Sequence, residues 1–261
     1  MLSKNKIKYL SSLSEKKSRT ESKAFLVEGE KMVLEALASE FQVKTLFYIE
    51  KMKENIPKNL SLSIEKMEIS ENEAIKISTQ KTPQGIFAEV VIRDEFYSDI
   101  FSYKEKLTLA VHDIQDPGNL GTIVRTADWF GIKQILCSKA TVDFLNPKVL
   151  QSTMGAVFRV KLIYTDLFET IRDLKQKHEH LPVFAAILGG TNIYKNNLPN
   201  NGILMMGNES KGLSDELIEL ATHKITIPRF GNTEKSSESL NVSVATAIIL
   251  SELKRKTIEA P

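Results

Sequence analysis

Apolar and polar positions alternate in short blocks along this chain, and the period of the alternation switches between that of strands and that of helices. Residues 25–29 (FLVEG) close a short strand, and 30–39 form a helix with Val33, Leu34 and Leu37 on one face. Strands are predicted at 43–49 (VKTLFYI), 61–68 and 85–92 (GIFAEVVI). Between the last two, Ser70 opens a helix, with Glu73 three residues on as a capping box. Residues 93–106 are charged and hold Phe96, Tyr97 and Tyr103, as a connection would. The pattern then sharpens. Strands are predicted at 107–111, 134–137, 160–164, 182–188, 202–206 and 225–227. Helices are predicted at 122–130, 147–158, 166–179 and 214–221. Beyond a polar loop at 229–239, Val242, Val244, Ala245, Ala247, Ile248, Ile249 and Leu250 are dense enough for a helix buried over most of its circumference.

Strand–helix alternation at this spacing predicts an α/β fold with a parallel sheet covered on both faces. In such sheets ligands sit where loops leave the carboxyl ends of strands. Three loops qualify: 113–121, 207–213 and 229–239. A domain over 1–95, a linker over 96–105 and a second domain over 106–261 follow from the change of pattern.

Charge adds one feature. The net charge is only +2, but the first 24 residues carry seven basic side chains against two acidic ones, a local +5. Such a segment tracks phosphates or simply forms a solvated helix. No apolar run approaches a membrane span, and no secretory signal opens the chain. The single cysteine, Cys137, sits in a strand-like run and reads as a buried, inert thiol, which fits a cytoplasmic protein.

The three loops carry the chemistry. In the first, Asn119 lies in a Pro-Gly turn, and Gly121 allows close backbone approach. Arg125 follows, with a rigid five-donor fork that suits a phosphate or a surface ion pair. In the second, Gly207-Asn208-Glu209 follows a buried strand. A carboxylate there needs a partner, or the segment is a plain turn; Arg125 is the candidate partner. In the third, Asn241 and Ser243 stand at the mouth of the last helix, where unpaired N–H groups suit polar or anionic ligands, or as ordinary caps. The chain lacks G-x-x-x-x-G-K-[ST], G-x-G-x-x-G, G-x-S-x-G and H-E-x-x-H, which argues against P-loop, dinucleotide-fold, serine-hydrolase and zincin chemistry, and no metal site is expected.

In order and spacing, N-L-G-T-I-V-R-T-A (119–127), M-G-N-E-S-K-G-L (206–213) and I-P (227–228) with S-L-N-V-S-V-A (239–245) resemble the three motifs of the SpoU (TrmH-like) RNA ribose methyltransferases. F-L-V-E-G-E-K-M-V-L-E-A-L (25–37) resembles the opening of the ribosomal-protein-L30e-like substrate-binding domain that often precedes them. The resemblance implies a SPOUT fold with a deep trefoil knot, a homodimer, and S-adenosylmethionine bound around Gly207, Asn208, Ile227, Leu240 and Ser243. It implies that Arg125, Asn119, Glu209 and Asn241 form the catalytic set. The substrate would be RNA, with ribosomal RNA favoured over transfer RNA by the L30e-like domain. A non-catalytic RNA-binding protein of the same fold, or a dimeric cofactor sensor, is the alternative. Two departures stand out: the loop before Ser239 is longer than usual, and Arg229 replaces a common methionine.

Overall fold

The computed structural model describes residues 1–92, 106–195, 197–231 and 239–255. The expected linker and most of the third loop lie outside them. The described residues form two compact units: those within Met1–Phe96 together with Asp143–Arg159, and those within Tyr97–Val142 and Val160–Pro261.

The first unit holds a four-stranded mixed sheet. Strands β1 (Ala24–Glu28), β2 (Val43–Tyr48), β3 (Glu65–Glu68) and β4 (Ile86–Val91) are ordered β1-β4-β2-β3. β4 runs antiparallel to β1 and β2, and β3 is parallel to β2. The strand expected over 61–68 is shorter, because the serines before it bond locally. Ile64 N donates to Ser61 O, and the Ser61 and Ser63 hydroxyls lie 2.8 Å apart, a turn that competes with the ladder. Helices α1 (Lys4–Ser12), α2 (Lys16–Ser22), α3 (Glu30–Leu37) and α4 (Glu71–Ile77) complete it. Leu10, Leu13, Phe47, Ile77 and Phe87 pack into one core cluster. The capping box at Ser70 and Glu73 forms, and Glu73 also accepts from Leu2 N at 2.6 Å.

The basic N-terminal segment is therefore largely helical, and Lys6 and Arg19 among its cations pair with buried or partly buried carboxylates. Lys6 Nζ lies 2.7 Å from Glu89 Oε2, whose side chain is fully buried and also accepts from Tyr9 OH at 2.8 Å. The buried Arg19 donates to Leu13 O and Ser14 O and pairs with Asp143 at 2.5 Å. The five lysines at 4, 8, 16, 17 and 23 are exposed.

Asp143–Arg159 is an excursion from the second half of the chain that the hydrophobic pattern does not mark. Helix α6 (Pro147–Thr153) ends earlier than its sequence predicts, because Met154 and Gly155 turn left-handed (φ 51° and 97°) before a 3₁₀ turn at Ala156–Phe158. A Cβ on Gly155 would come within 2.6 Å of Glu35 Cγ, so only glycine fits there.

In the second unit the expected parallel sheet is present. Strands β5 (Leu107–Val111), β6 (Gln134–Ser138), β7 (Lys161–Thr165), β8 (Val183–Asn192), β9 (Gly202–Met206) and β10 (His223–Thr226) are ordered β10-β8-β9-β5-β6-β7, all parallel. On one face Ala110, Leu136, Ile163, Val183, Ile203 and Met205 pack with α7 (Leu167–Lys177) and α8 (Asp215–Glu219). Leu109, Ile135, Phe184 and Leu204, one residue out of phase and fully buried, face the other way. Helices α5 (Pro117–Trp129) and α9 (Val242–Arg255) pack against each other. Helix α9 is less enclosed than its composition predicts: Val244 is 48% exposed.

Helix α5 begins five residues before the predicted start. Asp116 is its N-cap, its side chain accepting from Asn119 N, and Pro117 occupies the first turn, where its missing N–H costs nothing. The Asp-Pro-Gly run that resembles a turn is thus a helix start, and Asn119 and Gly121 are helical. Strand β8 is longer than predicted, running through Gly189-Gly190 to Asn192. A Cβ on Gly190 would lie 2.5 Å from the carbonyl carbon of Ile225, so the glycine permits the close approach of β10. Among the described residues no helix is long and apolar enough to cross a membrane.

Candidate active site

The sheet order places the site. From β5 the chain runs outward to β6 and β7, then returns to lay β9 and β8 on the other side of β5. The β5–β9 boundary is a switch point of the kind where open α/β sheets bind ligands. Val111 pairs with Met206 at the carboxyl ends, and His112 N donates to Met206 O at 2.9 Å, so both strands stop level. The loops after them, at 112–116 and 207–213, therefore emerge side by side.

One polar network joins these loops to the start of α9. Asn119 Nδ2 donates to Glu209 Oε1 at 3.0 Å, and Asn241 Nδ2 donates to Asn119 Oδ1 at 2.9 Å. Asn241 Oδ1 then accepts from Ser243 N at 2.9 Å, Ser243 Oγ at 2.6 Å and Val244 N at 3.3 Å, which caps α9. The carboxylate of Glu209 only accepts, so Asn119 must present its NH₂ group to it. Its carbonyl is then free for the NH₂ of Asn241, whose own carbonyl faces the helix N–H groups. One charge thus orients two amides in series. Asn208 Nδ2 donates to Asp113 O at 2.7 Å and lies 3.4 Å from Glu209 Oε2, and its Oδ1 accepts from Ser210 N and Lys211 N.

Beside this network lies a cleft of about 840 Å³, within the roughly 300–1,000 Å³ common for ligand sites. Gly207, Asn208, Glu209, Ile227 and Leu240 line it. Its walls include Ile187, Leu188, Tyr194, Phe230 and Ile248. Gly207 is required: a Cβ there would fall 2.2 Å from the carbonyl carbon of Gly212. Asn208 and Gly212 exchange backbone hydrogen bonds at 3.0 and 2.9 Å, closing the loop tightly.

Of the residues singled out in the sequence, Asn119, Glu209, Asn241 and Ser243 come together. Ser243 is 6% exposed and sits beneath Asn241, outside the cleft lining. Arg125 does not join them. It is exposed two turns further along α5, and Glu209 takes Asn119 and Asn208 as partners in its place. Six helical residues separate Arg125 from Asn119 by about 9 Å along the axis and about 120° around it. On the same side of α5, Thr122 is exposed and Trp129 is 86% exposed. The middle of β8, Ala186 to Leu188, and Tyr194 are cleft elements that the loop-based reading does not include.

A parallel α/β sheet with a cleft and an amide–carboxylate network at its switch point defines a ligand-binding, site-bearing α/β domain. The chain belongs to the SpoU rRNA methylase family, whose model matches residues 106–251. An MRM3-like substrate binding domain model matches residues 4–88. Over 251 residues the chain is 32% identical to the 23S rRNA (guanosine(2553)-2'-O)-methyltransferase RlmP of Bacillus subtilis, covering 95% of this chain and 96% of that one. A TrmH-family protein from Porphyromonas gingivalis superposes with a TM-score of 0.86 at 38% identity, covering 98% and 99% of the two chains. An AdoMet-bound rRNA methyltransferase from Sinorhizobium meliloti superposes at 0.85 with 30% identity, covering 99% and 97%.

Proposed function

We propose that this chain transfers the methyl group of S-adenosylmethionine to a ribose 2′-OH in ribosomal RNA, in the cytoplasm. The observation that carries the reading is the Glu209–Asn119–Asn241 network beside the cleft, on a chain of the SpoU family.

The residues present fit the cofactor. Apolar walls at Ile187, Leu188 and Ile248 suit an adenine, main chain at Gly207, Ile227 and Leu240 offers polar groups for its hydrogen bonds, and Asn208 closes the loop that presents Gly207. Glu209 sets a carboxylate at the cleft, where a cationic sulfonium is favoured. When bound, S-adenosylmethionine supplies an electrophilic methyl group. The protein's own task is to hold the ribose oxygen in line with the methyl group while the hydroxyl proton leaves to solvent. Glu209, which lines the cleft, serves that task, with Asn119 and Asn241 bonded to it in series. Arg125, a charged fork open to solvent, holds the phosphate next to the target ribose.

The first unit carries RNA recognition, with its exposed lysines supplying phosphate contacts. We also infer a homodimer through α5 and α9, supported by Trp129 and Val244, exposed on two helices that pack together. A deep trefoil knot at the C-terminal end of the fold belongs to the same reading.

Ribose-methylation mapping of ribosomal and transfer RNA, from cells with and without the gene, tests the function. One lost 2′-O-methyl site in ribosomal RNA is expected. A lost site in transfer RNA would move the substrate, and no lost site with S-adenosylmethionine still bound would overturn catalysis.

A further inference from the structure

We infer that Asp113 is a positioning residue: its left-handed backbone and its tie to Ser138 aim Asn208, and through it Glu209, at the reaction site.

Asp113 is the second residue past β5 and has φ 55°, in the region that disfavours side chains and that Asp and Asn tolerate best. The conformation is held from one side by Ser138, at the end of the neighbouring strand β6. Ser138 Oγ donates to Asp113 Oδ1 at 2.6 Å and accepts from Asp113 N at 2.8 Å. The Ser138 proton is committed to the carboxylate, so its remaining lone pair faces Thr141 Oγ1, 3.0 Å away. Ser138 and Thr141 are 8% and 4% exposed, so the anchor is buried at the end of β6.

Held in this way, Asp113 presents its carbonyl to Asn208 Nδ2 at 2.7 Å, the shortest contact that side chain makes. Asn208 is the pivot of the 207–213 loop. Its Oδ1 takes the N–H groups of Ser210 and Lys211, both at 3.0 Å, and its second amide hydrogen points to Glu209 Oε2. The other oxygen of Glu209 meets Asn119. The order is therefore Ser138, Asp113, Asn208, Glu209, Asn119, Asn241, running from the buried sheet to the cap of α9. Asp113 does not line the cleft, so it acts through Asn208. An L-residue without a short polar side chain would relax towards negative φ, swing the carbonyl away and release the loop.

The activity readout rests on the methyltransferase reading; the exchange readout does not. In the full chain, Asp113→Ala removes the side-chain half of the tie and the preference for left-handed backbone, while Asp113→Asn keeps both. With Asp113→Ala, backbone hydrogen exchange over 206–213 should quicken, and kcat should fall by about 10- to 100-fold, as a misplacement of about 1 Å does. The KM for RNA should stay within about twofold, because binding of the remote RNA is untouched. Asp113→Asn should resemble the wild type in both. Should Asp113→Ala fail to fold, Ser138→Ala cuts the same tie and should quicken the same exchange. Wild-type exchange over 206–213 in the folded Asp113→Ala or Ser138→Ala protein would overturn the inference, as would an Asp113→Asn protein as impaired as Asp113→Ala. If no variant or wild type methylates RNA, the functional proposal falls while the exchange result still decides the role of Asp113.

Discussion

Replacing Asn119 by Asp tests the central network most directly. In the native site Asn119 Nδ2 donates to Glu209 Oε1 at 3.0 Å. Asn119→Asp converts that bond into two facing carboxylates. Two unit charges about 4 Å apart repel by about 4 kcal/mol at an effective dielectric of 20 and by about 1 kcal/mol in water. Both side chains are partly exposed, which puts the repulsion at about 1–2 kcal/mol. The lost hydrogen bond to a charged group adds roughly 1–2 kcal/mol. A total of about 2–4 kcal/mol lowers the melting temperature by roughly 4–16 °C. Glu209→Gln then reverses the polarity: the Gln amide donates to the new carboxylate, which still accepts from Asn241. The double variant should recover most of the lost stability, with a coupling of at least about 1 kcal/mol in a double-mutant cycle. Urea unfolding of the wild type, both single variants and the double variant measures it. Additive effects, with a coupling below about 0.5 kcal/mol, would refute the linked orientation of Glu209, Asn119 and Asn241. Recovery of stability without recovery of methyl transfer would separate the scaffold from a requirement for the charge of Glu209.

Arg125→Ala should abolish methyl transfer while S-adenosylmethionine affinity, read by calorimetry, stays near wild type; retained turnover would remove Arg125 from the catalytic set. Trp129 is the chain's single tryptophan and is 86% exposed, so dimer formation over α5 should shift its emission to the blue as concentration rises. Trp129→Ala should reduce the mass measured by light scattering to that of one chain, and an unchanged mass would place the interface elsewhere. Backbone hydrogen bonds from Ser70 chiefly, and from Leu2, hold the Glu73 carboxyl below its ordinary 4.5 against an opposing effect of burial. Its stabilising contribution is thus complete above pH 4.5 and is lost as pH falls through the lowered folded value. Glu73→Gln should cost about 1 kcal/mol at pH 7, and urea midpoints of variant and wild type should converge in strong acid.

Much of this arrangement was legible in the linear chain because it depends on local chemistry. Apolar runs of strand length separated by amphipathic stretches determined the parallel sheet, since a strand buried on both faces tolerates few polar residues. Ser70 and Glu73 announced their capping box because both partners lie within one helical turn. The three motif segments named the polar residues of the site. The start of α5 was obscured because Asp-Pro-Gly serves a turn and a helix N-terminus equally well, and only packing of Leu120, Ile123 and Val124 selects the helix.

The tertiary structure decided which of those residues meet. Glu209 and Asn241 lie 90 and 122 positions from Asn119, distances over which no periodicity carries information. The sheet order brings them together by setting β9 beside β5. The same structure separates Arg125 from the carboxylate that its charge suits, because helical phase turns its side chain to solvent. It also recruits Asp113 and Ser138, which no motif marked, through a backbone torsion that only neighbouring strands impose. Local sequence sets which conformations are cheap; long-range strand pairing sets which groups are adjacent, and the site depends on adjacency.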